Sequence, residues 1–209
     1  MNLEDESFIR KCLQLKAIKS PCLELGVGVD GAGLRWLLEP KGIQYFGADM
    51  NAHEETDFVF DLEEPIESIR AATNNLTFSS ILILNVLEHT FEPIKILDKC
   101  FALLAPTGTC IIIVPAVWPL HDWPMDCYRI LPNFYEQYAK RRGYKIIPNL
   151  FDYVGNKGAA TASSPYAFPN PSKSKWGNLF SRIVHKTFNT FGRGVQFSSY
   201  LSIGVVIEK

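Results

Sequence analysis

The sequence predicts an α/β fold: an open, mostly parallel sheet of seven strands with helices on both faces. Three observations carry this. Short apolar runs alternate with amphipathic stretches, the order expected when parallel strands are joined by crossover helices. Phe78–Leu84 runs without a period-two alternation into the unbroken apolar stretch Ile81–Leu84, as in a strand buried on both faces. A glycine cluster, Gly26-Val27-Gly28-Val29-Asp30-Gly31-Ala32-Gly33, follows the first apolar run directly and opens the next helical stretch.

Taken in order, Ser7–Lys19 mixes apolar and charged residues at helical spacing and stops at Ser20-Pro21. Cys22–Leu25 is a first strand, Leu34–Glu39 a helix stopped by Pro40-Lys41-Gly42. Ile43–Ala48 is a second strand ending at Asp49, and Asp57–Phe60 a third ending at Asp61. Pro65–Thr73 reads as helix and Phe78–Leu84 as the fourth strand. Glu92–Leu104 is an amphipathic helix with Ile94, Ile96, Leu97, Cys100, Phe101 and Leu104 inward, closed by the turn Ala105-Pro106-Thr107-Gly108. Thr109–Val114 is a fifth strand, followed by a Pro-, Trp- and His-rich loop to Pro132. Asn133–Arg142 is a helix with Asn133 as its N-cap. Tyr144–Ile147 begins a sixth strand, 155–175 reads as a long loop, Trp176–Phe191 as a basic amphipathic helix, and Tyr200–Ile207 as the last strand.

The 209 residues, 47% hydrophobic, suit one domain, 1–209: an N-terminal helix (1–20), a ligand-binding core (20–150), a loop and basic helix (151–199) and a final strand (200–209). The five cysteines and four histidines lack metal-site spacing, so no metal is expected, and Cys22, Cys100 and Cys110 read as small core residues. The N-terminus is acidic and polar, unlike a signal peptide, so a cytoplasmic location is the default. Charge is uneven: residues 1–100 hold 17 Asp/Glu against 9 Lys/Arg, net −8, and residues 101–209 hold 5 against 12, net +7. The acidic half disfavours nucleic acid. For 176–191 three readings compete: a helix packed on the sheet, an acceptor-site lid, or a peripheral contact with an anionic membrane. The oligomeric state is left open.

In a parallel sheet the loops after the first and fourth strands meet at the carboxyl edge, where ligands bind. Glycines there let a backbone approach a ligand closely, and the helix that follows offers free N–H groups. Gly26-Val-Gly28-Val-Asp-Gly31 also matches G-x-G-x-x-G, and Asp49 lies near the spacing of a ribose-binding acid, so the glycines and Asp49 alone indicate a nucleoside-containing ligand, NAD included.

Beyond that point, Cys22-Leu-Glu24-Leu-Gly26-Val-Gly28 resembles the first motif of class I S-adenosylmethionine (SAM)-dependent methyltransferases. Ile81-Leu-Ile-Leu-Asn85-Val-Leu-Glu88-His89 resembles the fourth-strand motif, with the "LEH" ending of the small-molecule and sugar branch. Leu103–Gly108 resembles the family's "L-K-P-G-G" turn, departing at Ala105 and Thr107. Pro119-Leu-His121-Asp-Trp-Pro124-Met-Asp126-Cys-Tyr128-Arg129 resembles that branch's "H-x-x-P-x-D-x-Y-R" loop. The resemblance covers about residues 20–150. It implies a Rossmann-like sheet of strand order 3-2-1-4-5-7-6 with the last strand antiparallel, and SAM as cofactor with S-adenosylhomocysteine (SAH) as product. It further implies that Glu24 with Gly26 and Gly28 serves the methionine end, Asp49 the ribose, Met50 and Asp61-Leu62 the adenine, and that Asn85 and His89 lie at the cofactor edge. One departure is that Asp49 and Phe58 are too close to admit a full helix between strands two and three.

The chemistry agrees with SAM. Its sulfonium is cationic and it has no phosphate, so Glu24, Asp30 and Asp49 around the turn suit it and would repel a pyrophosphate. Methyl transfer needs a base only when the acceptor loses a proton. His121, in the loop expected to overhang the reaction centre, is the candidate base or acceptor orienter, with Asp126, Tyr128 and Arg129 shaping the site. The reading is therefore methyl transfer to O or N of a small-molecule or glycan-type acceptor. Its alternatives are an NAD-dependent oxidoreductase and a non-catalytic binding protein of the same fold.

Overall fold

The computed structural model describes residues 3–28, 33–118, 120, 125–155 and 201–209. The elements run α1 (Leu3–Gln14), β1 (Cys22–Leu25), α2 (Arg35–Leu38) continued by a 3-10 turn (Glu39–Lys41), β2 (Tyr45–Asp49), β3 (Phe58–Val59) and α3 (Ile66–Ala72). They continue as β4 (Phe78–Leu84), a 3-10 turn (Leu87–His89), α4 (Pro93–Leu103), β5 (Leu104–Val117), α5 (Pro132–Arg142), β6 (Lys145–Gly155) and β7 (Leu201–Glu208). One seven-stranded sheet has the order β3-β2-β1-β4-β5-β7-β6. β1 to β5 pair in parallel, and β7 lies antiparallel between β5 and β6. This is the Rossmann-like arrangement that the sequence predicts.

Alternate residues of the central strands feed two cores. Leu23, Leu25, Ile81, Ile83, Cys110, Ile112 and Val114 face Ile69 of α3, Leu97 and Phe101 of α4, and Tyr135 and Tyr138 of α5. Cys22, Leu82, Ile111 and Ile113 face Phe8, Ile9 and Cys12 of α1 and Leu37 and Leu38 of α2. This two-sided burial explains the unbroken apolar runs Ile81–Leu84 of β4 and Cys110–Val114 of β5. Cys12, Cys22, Cys100 and Cys110 are free and buried, while Cys127 is exposed.

Several boundaries differ from expectation. α1 starts at Leu3 and ends at Gln14, before Lys16 takes a positive φ of 55°. α4 buries Leu103 but leaves Ile94 49% exposed, so Ile94 is not an inward residue. The turn expected at Ala105–Gly108 lies inside β5: Phe78 pairs with Leu104 and Ser80 with Thr109, so the residues between bulge out. Asn133 is not the cap of α5. Pro132 occupies the first turn and Leu131 precedes it without a side-chain cap, because a proline there loses no helical hydrogen bond. The connection from β2 to β3 holds no helix, as the short Asp49–Phe58 spacing requires. Gly155 pairs with Leu201, so the end of β6 lies beside the start of β7. The expected helix at 176–191 and the loop before it lie outside the described residues, as do Asp30, Gly31 and His121. No helix among the described residues is long and apolar enough to cross a membrane.

Candidate functional site

Parallel strands β1, β2 and β4 bring their carboxyl ends to one edge, and most of the sequence-selected residues gather there. β1 ends into the glycine turn. Gly26 and Gly28 adopt φ of +70° and +66°. A Cβ on Gly26 would stand 2.6 Å from Val86 Cγ2 in the turn after β4, so glycine is demanded by both backbone and packing. The turn is tied to β2: Gly26 N donates to Ala48 O at 2.8 Å.

Two carboxylates hold its backbone. Asp49, at the end of β2, accepts from Gly28 N through Oδ2 (3.1 Å) and from Asn51 N through Oδ1 (3.0 Å). His53 brings Nε2 to 3.5 Å from Asp49 Oδ1. Glu24 points to the α1–α2 face, where its Oε2 accepts from Leu34 N and from the Tyr45 hydroxyl, both at 2.8 Å. Burial pushes the Glu24 carboxyl up from 4.5 to about 7, with these two bonds acting against the shift. Met50 is 55% exposed beside Asp49. Asp61 Oδ1 caps its own turn by accepting Glu63 N at 2.8 Å, and half-buried Leu62 packs on the core while its carbonyl accepts Lys99 Nζ at 2.7 Å.

On the other side of the edge, Asn85 leaves β4 with a positive φ of 54°, donating its N–H to Ile113 O (2.8 Å) and its amide Nδ2 to Asp5 Oδ2 (3.3 Å). His89 Nδ1 lies 2.5 Å from Met125 O, an acceptor, so Nδ1 carries the proton, and Nε2 faces Glu88 Oε1 at 3.7 Å. Asp126 and Arg129 form a two-pronged ion pair, with Arg129 Nη2 at 2.5 Å from Asp126 Oδ2 and Nη1 on Oδ1. Arg129 also donates to the carbonyls of Tyr128 and Trp118. Tyr128 OH donates to Phe91 O at 3.0 Å.

The structure thus brings Glu24, Gly26, Gly28 and Asp49 together, and separately joins His89, Asp126, Tyr128 and Arg129 through the 125–129 segment. Four further residues enter that sequence reasoning did not select: Tyr45, Asp5, His53 and Glu88. Tyr45 and Asp5 sit in an apolar strand and a helix and give no local signal. Glu88 lies inside the quoted "LEH" stretch, but its complete burial depends on a segment some forty residues later. No group of three His, Cys, Asp or Glu among the described residues is arranged to hold a metal ion.

Known proteins share this architecture. An archaeal SAM-dependent methyltransferase from Archaeoglobus fulgidus superposes with a TM-score of 0.60 at 14% identity, covering 99% of this chain and 94% of that one. The phosphoethanolamine N-methyltransferase 2 of Haemonchus contortus, crystallised with S-adenosyl-L-methionine, gives 0.52 at 14% identity over 98% of this chain and 52% of its own. In sequence, a ubiquinone biosynthesis O-methyltransferase of Psychrobacter arcticus is 31% identical over 100 residues, 42% of this chain. The match spans 38% of that relative's length. Residues 6–148 match the family model described as a methyltransferase domain. This chain therefore belongs to the methyltransferase domain family, whose cofactor is S-adenosylmethionine.

Proposed function

We propose that this chain binds SAM across the Gly26–Gly28 turn and the ends of β1, β2 and β4, and transfers its methyl group to oxygen or nitrogen of a small-molecule or glycan-type acceptor, releasing SAH. The observation that carries this reading is the turn itself: two positive-φ glycines latched by Gly28 N to the Asp49 carboxylate. The residues present fit the cofactor. The side chains bonded to the backbone of the turn and the helix after it are acids, Asp49 on Gly28 and Glu24 on Leu34. Such surroundings favour a cationic ligand without phosphate over a pyrophosphate. A carboxylate at the end of β2 is also the group that vicinal hydroxyls can donate to.

Bound there, the cofactor supplies an already activated methyl on a sulfonium. What is left to the chain is placement and water exclusion. Asp49 receives the ribose hydroxyls, Gly26 and Gly28 leave room for the methionine end, and Met50, Asp61 and Leu62 border the adenine. Glu24 acts at one remove, fixing the start of the following helix through Leu34 N. On the acceptor side, the Asp126–Arg129 pair neutralises its own charges and holds the segment that presents the Tyr128 hydroxyl. His121 is the proton acceptor for a hydroxyl or ammonium acceptor. The likeness to ubiquinone biosynthesis O-methyltransferases supports an oxygen acceptor.

Calorimetric titration of wild type and Asp49→Ala with SAM, SAH and NAD tests the reading. Wild type binds SAM and SAH and not NAD, and Asp49→Ala loses about tenfold or more of that affinity, the worth of a charge-assisted hydrogen bond. Binding of NAD, or of none of the three, defeats the reading. For the base, His121→Ala binds SAH as wild type does but turns over a proton-losing acceptor about a hundredfold more slowly. Unchanged turnover removes His121 from the mechanism.

A further inference from the structure

Glu88 is fully buried (0% exposed) in the turn after β4, and neither of its carboxyl oxygens has a hydrogen-bond partner among the described residues. A buried carboxylate without donors is costly, and a neutral carboxyl far less so. Its main chain is engaged: Glu88 O accepts from Cys127 N at 2.7 Å and from Tyr128 N at 3.3 Å. The 125–129 segment therefore rests directly on this residue. The charged and titratable groups facing the carboxyl come from every side. Among the described residues they are Asp5 from α1, Asp126 and Arg129 from the segment above, His89 in the same turn, and the Tyr135 hydroxyl from α5. Arg129, the cation among them, already shares its guanidinium with Asp126.

We propose that Glu88 is a positioning residue of the acceptor side: uncharged beneath the 125–129 segment, it seats Asp126, Tyr128 and Arg129 over the transfer edge, and gaining charge unseats them. The proposal rests on the methyltransferase reading for what the segment serves, but the seating itself needs neither cofactor nor acceptor.

Burial pushes the Glu88 carboxyl up to about 7, its own nearby backbone N–H and Arg129 opposing the shift and Asp126 and Asp5 reinforcing it. With the segment lifted, the carboxyl meets water and returns towards its ordinary 4.5. The seated state then binds the proton more tightly than the lifted one. Seating is strongest below pH 4.5, weakens as pH rises from there through about 7, and is level above it.

Amide hydrogen exchange of the full chain, followed by NMR between pH 5.5 and 7.5, tests this. In wild type the protection factors of the Cys127 and Tyr128 amides fall about tenfold across that range. Central β5 amides do not share the fall. In Glu88→Gln, which keeps the shape and cannot ionise, the same two amides stay within about twofold and remain protected at pH 7.5. A flat wild-type profile overturns the proposal, as does an equal fall in Glu88→Gln. If that variant fails to fold, the wild-type profile decides alone. Calorimetry with SAH on the same wild-type sample separates the two claims: loss of SAH binding with the pH response intact removes the methyltransferase reading and leaves the seating in place.

Discussion

Glu24 and Glu88 stand near the carboxyl ends of the paired strands β1 and β4, both buried, both with carboxyls pushed to about 7. Their surroundings differ. Glu24 gives one oxygen to two donors, Leu34 N and the Tyr45 hydroxyl, whereas among the described residues Glu88 gives neither of its oxygens to any. Similar proton affinities therefore arise from different balances: burial partly offset by two donors at Glu24, burial beside other acids and Arg129 at Glu88. The titration behaviour alone would class the two together. The donors separate them, marking Glu24 as part of the scaffold of the glycine turn and Glu88 as a support whose neutral form matters.

Removing each carboxyl sharpens this contrast. The largest effect is expected for Glu24→Ala, which leaves two buried donors orphaned and lowers stability by about 3 kcal/mol in urea unfolding at pH 7. A loss below about 1 kcal/mol would mean that the turn does not depend on those bonds. The smallest is expected for Glu88→Leu, which orphans no donor and removes a buried ionisable group. Its stability stays within about 1 kcal/mol of wild type at pH 7, with any change in the stabilising direction. A loss as large as that of Glu24→Ala would show that Glu88 has partners after all.

The same division runs through what was legible in the sequence. β1 and β4 were readable to the residue because strands buried on two faces lack a period-two alternation, and Cys22–Leu25, apolar but for Glu24, and Phe78–Leu84, apolar throughout Ile81–Leu84, fit that pattern. The glycine turn was readable because positive φ favours glycine, and Gly26 and Gly28 stand where it occurs. Asp49 was readable as the acid closing β2. The acceptor side was less so. The Asp126–Arg129 pair follows from three-residue spacing only once the segment is known to curl back, and the seat beneath it depends on Glu88, Asp5 and Tyr135 converging from three elements. Nothing periodic marks such convergence. Boundaries failed where local rules competed: Asn133 is a good cap by type, but Pro132 before it is a better first-turn residue.

The place of β7 has a consequence for how the chain comes off the ribosome. It is the last of the described strands in sequence, yet it fills the slot between β5 and β6, pairing with both along most of its length. Until Leu201–Glu208 emerges, β5 and β6 each present an open edge to the other, a ready template for wrong pairing. Synthesis thus leaves a half-built sheet waiting for its eight closing residues, and the Phe8 ring of α1, which lies flat against Gly204, can find its seat only then. Among the described elements, the earliest helix and the latest strand in sequence pack against each other.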